Sequence, residues 1–201
     1  MINDGLKEQI LSAATFSAEE LEMISQCFVA NRYDQKEHIL CEGNKSSCIH
    51  FIVSGLVRVY HFKDAKEVTT YLACDGGFAA SYSSFITQGL SSEYIQCLEN
   101  THTLSISYEK MEWLYQQLAQ WQVVGRILAE QNYLCMADRV LNLHSTPGKE
   151  KYLQFLQTSP AKVVQRTPLI YVASFLGIAP ESLSRIRRET AKISLDPLKI
   201  S

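Results

Sequence analysis

No apolar run in the 201-residue sequence approaches the roughly 18 residues needed to span a bilayer. The first residues, Met-Ile-Asn-Asp-Gly-Leu-Lys-Glu, lack the basic stretch and apolar core of a signal peptide. Both absences set the expectation of a cytoplasmic protein with no membrane partner. The six cysteines (Cys27, Cys41, Cys48, Cys74, Cys97 and Cys135) contain no Cys-x-x-Cys spacing and stand in apolar surroundings. That predicts reduced, mostly buried thiols and argues against an iron–sulfur cluster.

Catalytic patterns are missing too. There is no phosphate-cradling Gly-rich loop, no Gly-x-Ser-x-Gly and no paired-carboxylate motif. A cupin-like metal site would need His-x-His, a following glutamate and a distant histidine converging on one ion. The segments "SCIHFIVSG" and "VYHFKDAKE" offer a single histidine each. His38, His50, His61, His102 and His144 read as solvated or core side chains rather than haem ligands. No enzyme is expected, and the sequence specifies no cofactor.

What is present is an uneven charge. Residues 1–148 hold 10 Lys/Arg against 17 Asp/Glu, whereas residues 149–201 hold 9 against 4. The net charge of -2 therefore conceals an acidic body and a basic C-terminal quarter suited to an anionic surface.

Along the chain, "FSAEELEMI" (16–24) predicts a helix start. Ser17 is the cap, Glu20 the capping-box acid, and Phe16 with Leu21 the hydrophobic staple. From about 37 to 108, short alternating segments are punctuated by turn residues: "HILCEG", "IHFIVSGLVRVYHF" broken at Ser54-Gly55, "EVTTYLA", and "YIQCLENTHTLSIS". This pattern predicts an antiparallel sandwich, jelly roll or barrel. The intervening "FAASYSSFITQGLSS" suits a helix-and-loop insert. Residues 108–145 lack proline and keep helical spacing of Val124, Ile127, Leu128, Leu134, Met136, Val140 and Leu141, with Gly125 as the one break. A helix of that length cannot bury itself in one small domain. Part of it is expected to pack against a second copy along Val124, Ile127, Leu128, Gln131, Leu134 and Cys135. Composition and charge shift at "TPGK" (146–149), which places a domain boundary there.

The final segment, "TPLIYVASFLGIAPESLSRIRRE", reads as two short helices. Thr167-Pro168 opens the first, Gly177 allows the left-handed turn, and Ala179-Pro180 opens the second. A helix-turn-helix of about twenty residues needs a small residue where its helices cross, a glycine in the turn and apolar residues along the seam. Ala173, Gly177, Val172, Leu176, Ile178, Leu183 and Ile186 meet every requirement. Glu181, Ser182, Arg185 and Arg188 face away from Leu183 and Ile186. Glutamate accepts from cytosine and arginine forks onto guanine in the major groove. Ser182, Arg187 and Lys192 suit phosphates, and Pro180, Ser184 and Arg188 complete the expected DNA surface.

This order of elements resembles the Crp/Fnr family of bacterial transcription regulators over nearly the whole chain. The C-terminal segment is especially similar to its short Crp-like members common in Bacteroidetes. The resemblance implies an α+β protein. A cyclic-nucleotide-binding-like β-roll or jelly roll with a dimer helix (about 108–145) would occupy residues 1–145, and a small all-α helix-turn-helix domain residues 146–201. It implies a homodimer that binds double-stranded DNA, with RNA polymerase as a further partner, and it matches Glu181 and Arg185 to the base-reading pair. After Glu189 only twelve residues follow, so the family's β-hairpin wing is expected to be missing or vestigial. A dimeric sensor or scaffold that kept the fold without binding DNA is the alternative reading.

The effector pocket implied by the family is expected at Gly76, Gly77, Phe78, Ser81, Tyr82, Ser91 and Ser92. Laid on the family's phosphate cassette without gaps, "DGGFAASYSSFITQGLSSEY" puts Ser81 in place of the ribose-binding glutamate. It puts Ser91 in place of the phosphate-binding arginine. No arginine lies between Arg58 and Arg126. Each lost charge-assisted hydrogen bond weakens a ligand by roughly 1.5–3 kcal/mol, so orthodox cAMP binding is not expected. The effector is an unknown small molecule.

Overall fold

The computed structural model describes residues 3–194, apart from the side chains of 142–145 and 191–194. Helices α1 (Asp4–Ala13) and α2 (Ala18–Ser25) precede strands β1 (Phe28–Tyr33), β2 (His38–Leu40), β3 (Cys48–Ser54), β4 (Leu56–Lys63), β5 (Lys66–Cys74) and β6 (Phe78–Ala79). After α3 (Tyr82–Thr87) come β7 (Tyr94–Cys97) and β8 (Thr101–Ser107). The rest is helical: α4 (Tyr108–Gln117), α5 (Ala119–Ser145), α6 (Gly148–Thr158), α7 (Ala161–Arg166), α8 (Leu169–Leu176) and α9 (Pro180–Ser194).

The strands form two antiparallel four-stranded sheets, ordered β1-β8-β3-β6 and β2-β7-β4-β5. Alternation sends Ile52, Val57, Val59, Ile95 and Cys97 into the space between the sheets, where they make a tight apolar core. Gly55 turns β3 into β4 with φ 138, and a side chain there would overlap Thr101. The interruption at Ser54-Gly55 is therefore a corner, at which the chain leaves the first sheet (β3) and enters the second (β4). Strand β1 lies outside the region expected to hold strands. It is a largely exposed edge strand paired only to β8, so its sequence carries no alternation to announce it.

A second core joins the β1-β8-β3 sheet to the helices through Leu6, Ile24, Phe51, Ile106, Leu114 and Trp121. The α2 capping box is present as expected: the Ser17 hydroxyl accepts from Glu20 N, and the Glu20 carboxylate accepts from Ser17 N at 2.7 Å. The long helical stretch breaks at Leu118, not at Gly125. Leu118 is extended (φ -128, ψ 107) and buried, so Met111 and Leu114 of α4 and Trp121 and Val124 of α5 all reach the same core. Gly125 lies within α5, and only glycine fits there because the Tyr115 hydroxyl fills the space a side chain would need.

Beyond extended Thr146, helices α6–α9 share a third core in which Tyr152, Phe155, Val172, Leu176, Leu183 and Ile186 pack with Leu56 and Cys74 of the β sheet. These helices are thus docked on β5, and polar contacts reinforce the apolar ones. Among the described residues no single helix is long and apolar enough to cross a membrane.

Candidate functional site

Helices α8 and α9 meet at 102° around Gly177, which sits in the left-handed region at φ 63. A Schellman-type closure completes the turn, with the Ile178 amide donating to Ala173 O at 2.9 Å. Leu183 and Ile186 are buried against the third core, which turns the opposite face of α9 to solvent. There Glu181, Ser182, Arg185, Arg188 and Glu189 line an open concavity of about 520 Å3. Ser184, Arg187 and Arg188 border a second concavity shared with Tyr152, Leu156 and Leu169 on the flank of the helix. Pro180 is exposed at the first position of α9. Among the described residues Arg185 and Arg187 are engaged in no hydrogen bond or ion pair, while the Arg188 guanidinium leans on Ser184 O at 3.4 Å. The side chain of Lys192 lies outside the described residues, as does that of His144.

Between the sheet β2-β7-β4-β5, helix α3 and helix α5 lies a cavity of about 850 Å3. Of the residues expected in an effector pocket, Gly76, Gly77, Phe78, Tyr82 and Ser92 line it. Ser81 and Ser91 do not, which corrects the ungapped placement. Ser81 is 0 % exposed and donates its hydroxyl to the Glu93 carboxylate at 2.7 Å. Buried Ser91 brackets the Glu93 backbone, accepting from Glu93 N at 2.9 Å and donating to Glu93 O at 3.0 Å. Both serines are therefore supports for Glu93, whose side chain does line the cavity.

Glu93 was not among the expected site residues, although one signal marked it: it is the sole charged residue between Asp75 and Glu99. Thr70 Oγ1 is its other partner, at 3.3 Å. Among the described residues no lysine or arginine lines the cavity. Arg58, one residue before cavity-lining Val59, points to the other side of the sheet. A phosphate about 4 Å from Glu93 would meet a repulsion of roughly 4 kcal/mol at an effective dielectric near 20. Nor are backbone amides free to hold an anion near the glycines: Gly76 N donates to Ile52 O and Gly77 N to Cys74 O, both at 2.8 Å. Burial pushes the phenols of Tyr71 and Tyr82, on the cavity wall, above their usual pKa, so both stay neutral.

Helix α5 forms the far wall of the cavity through Leu128, Gln131, Asn132, Cys135 and Met136. Of the expected dimer seam, Val124 is buried in the chain's own core and Leu128 is half-buried beside the cavity, whereas Gln131 and Cys135 border the cavity and remain exposed. The side of α5 turned to solvent carries Tyr133 (72 % exposed), Leu134 (59 %) and Val140 (57 %), while Ile127 is half-buried. Both sides of the helix are apolar, and spacing alone does not say which one the chain covers for itself.

One turn beyond the cavity, Arg139 donates from Nη2 to Thr69 O at 2.8 Å and from Nη1 to Phe175 O at 3.1 Å. Arg58, 2 % exposed, is held by Gln96 and Glu67 and lies between the rings of Tyr60 and Tyr171. Ser174 accepts from Thr69 N and donates to Glu67 O. Lys162 pairs with Asp75 at 2.8 Å and with Glu99 at 2.5 Å. Burial opposes the Lys162 ammonium, but those two carboxylates outweigh it and hold the amine above its ordinary pKa. The cavity wall, the sheet and α8 are thereby physically continuous.

The described histidines are dispersed over the sheets. His38 bonds Tyr60 Oη at 3.0 Å, and buried His50 lies 3.5 Å from Thr103 Oγ1. His61 lines the cavity and His102 is exposed on β8. Among the described residues no group of three His, Cys, Asp or Glu could hold a metal ion. Of the cysteines, Cys27, Cys74 and Cys97 are buried, Cys41 and Cys48 half-buried, and Cys135 exposed; none forms a disulfide.

Residues 30–118 match the cyclic nucleotide-binding domain family. The cavity is thus the one in which that family's pocket would be sought. Solved structures extend the likeness beyond the matched region. FixK2 from Bradyrhizobium japonicum superposes with a TM-score of 0.74 at 14 % identity, covering 87 % of this chain and 89 % of its own. The c-di-GMP-responsive global regulator CLP of Xanthomonas campestris gives 0.67 at 17 %, covering 89 % and 94 %. The catabolite activator protein of Thermus thermophilus gives 0.56 at 20 %, covering 96 % and 91 %. At such identities the likeness is one of fold. No curated protein matches the sequence.

Proposed function

We propose that the chain is a DNA-binding transcription regulator of the short Crp/Fnr type and not an enzyme. In this reading it is a cytoplasmic homodimer, divided near residue 146 into an effector part and a helix-turn-helix part. The observation that carries it is the α8–α9 pair: a 102° crossing about left-handed Gly177, with Glu181 and Arg185 exposed and Ser182 half-buried opposite the buried Leu183 and Ile186. In this reading Glu181 and Arg185 read base edges. Ser182, Arg187 and Lys192 contact phosphates, and Pro180, Ser184 and Arg188 complete the surface. Two copies join along Tyr133, Leu134 and Val140 of α5 and present their α9 helices to a palindromic site. RNA polymerase is a further partner. A small molecule in the cavity is the effector, and cAMP is not that molecule.

A second reading has its own support. On the outer face of α9, Glu181 and Glu189 balance Arg185 and Arg188, which suits a scaffold that never meets DNA. Selection of bound duplexes from random sequence separates the two. A regulator yields a palindromic site whose affinity falls steeply with salt, as counterion release requires. A scaffold yields no enrichment and no salt-dependent retention. On the selected site, Arg185→Ala is expected to weaken binding by about 1–3 kcal/mol and relax one base-pair preference. Arg187→Ala is expected to weaken all duplexes alike and lower the salt slope. Equal losses on specific and random DNA for Arg185→Ala would show that it reads no base.

A further inference from the structure

We infer that the cavity binds an amphiphilic amine, its ammonium seated on Glu93 and its apolar body against Tyr71, Phe78 and Leu128; this rests on the reading of the β-roll as an effector domain. Among the described residues Glu93 is the one carboxyl side chain of the lining, and no lysine, arginine or histidine lies within ion-pair distance of it. Two hydroxyls, Ser81 at 2.7 Å and Thr70 at 3.3 Å, reach its oxygens. A carboxylate has about four acceptor directions, so acceptor capacity remains for a donor entering the cavity.

The acid is also held in place. Ser81 is completely buried with its hydroxyl directed at one Glu93 oxygen, and Ser91 clamps the Glu93 backbone from both its N–H and its C=O. Side chains fixed in this way lose little freedom when a ligand docks. Around the acid, the rings of Tyr71, Phe78, Tyr82 and His61 line the walls. Aromatic faces attract a cation and accept an apolar body. The rest mixes aliphatic side chains such as Ile49, Ile86 and Leu128 with uncharged polar ones such as Gln131 and Asn132, and about 850 Å3 suits a ligand of drug-like size. Among the described residues an anion finds neither a side-chain cation in the lining nor a free amide at Gly76 or Gly77.

Matched probes on the full chain test the charge. Calorimetry would compare tryptamine with tryptophol, its uncharged alcohol, with indole-3-propionate, its anion, and with cAMP. Tryptamine is expected to bind about tenfold or more tighter than tryptophol, with both anions weaker still. Glu93→Gln, which keeps the shape and the bond from Ser81, should erase that preference while leaving tryptophol affinity nearly unchanged. Ser81→Ala, which removes the support and not the charge, should weaken tryptamine severalfold.

Equal binding of tryptamine and tryptophol would mean that Glu93 reads a hydroxyl, and the proposal would fall. It would fall equally if an anion bound best, if Glu93→Gln left tryptamine affinity intact, or if tryptamine showed no binding below about 1 mM. DNA retention measured on the same preparations keeps the two claims apart: intact duplex binding without amine binding removes only the ligand assignment. Amine binding without duplex binding removes only the regulator.

Discussion

At the scale of single residues, buried His50 ties stability to pH. Burial lowers its imidazole from 6.5 to about 4, with Thr103 Oγ1 at 3.5 Å as its polar neighbour. The folded chain therefore refuses a proton that the unfolded chain accepts. The contribution of His50 is fully present above pH 6.5 and is lost as pH falls towards 4, roughly 3 kcal/mol in all and about 2 kcal/mol of it by pH 5. Urea midpoints should fall between pH 7 and pH 5 in the parent and fall less in His50→Gln; parallel curves would show that His50 is not the source. Gly177 gives a second expectation. At φ 63 any other L-residue is strained, so Gly177→Ala should cost about 1–2 kcal/mol by chemical denaturation. A loss near zero would mean that the α8–α9 turn tolerates a side chain.

At the scale of elements, α5 has apolar residues on two sides and uses them differently. Val124 and Leu128 turn inward to the core and cavity, whereas Tyr133, Leu134 and Val140 are left in water. Two substitutions therefore part company. Leu134→Glu should abolish self-association in sedimentation while leaving the thermal stability of the isolated chain nearly unchanged. Val124→Ala should cost about 2–3 kcal/mol of folding stability through lost burial and a residual cavity, with little effect on the association constant per folded chain. An unchanged dimer for Leu134→Glu would sink the placement of the seam. The break at Leu118 matters to this arrangement, because it lets α4 and α5 share one core before α5 continues along the cavity.

At the scale of the whole molecule, the question is how occupancy of the cavity reaches α9. Arg139 stands one turn from Cys135 and Met136 on the cavity wall and spans Thr69 of the sheet and Phe175 of α8. Its guanidinium also lies 4.8 Å from the Phe175 ring centroid. Removing it leaves two carbonyls without this donor and loosens the docking of α6–α9 by about 2 kcal/mol. Arg139→Ala should therefore speed proteolysis around Thr146–Gly148 and hydrogen exchange in α8, with little change in the β strands. Unaltered exchange in α8 would show that the apolar contacts of Leu56 and Cys74 suffice to hold the helices.

The sequence by itself determined what depends on neighbours within one turn. The Ser17–Glu20 capping box, the strand break at Ser54-Gly55, the left-handed Gly177 and the division of α9 into buried Leu183/Ile186 and outward Glu181/Arg185 all follow from short-range geometry. Tertiary structure decided the rest, because those outcomes depend on what packs from far along the chain. Edge strand β1 exists through its pairing with β8, some 70 residues away, and not through its own pattern. Leu118 breaks a helix whose local propensity would have continued it, because two helices must bury apolar faces in one core. Period-two alternation in β7 could not say that buried Ser81 and Ser91 would turn from ligand positions into supports for Glu93. That followed only when α3, β7 and α5 closed around one space, which placed the lone charge of the segment on the wall of a cavity.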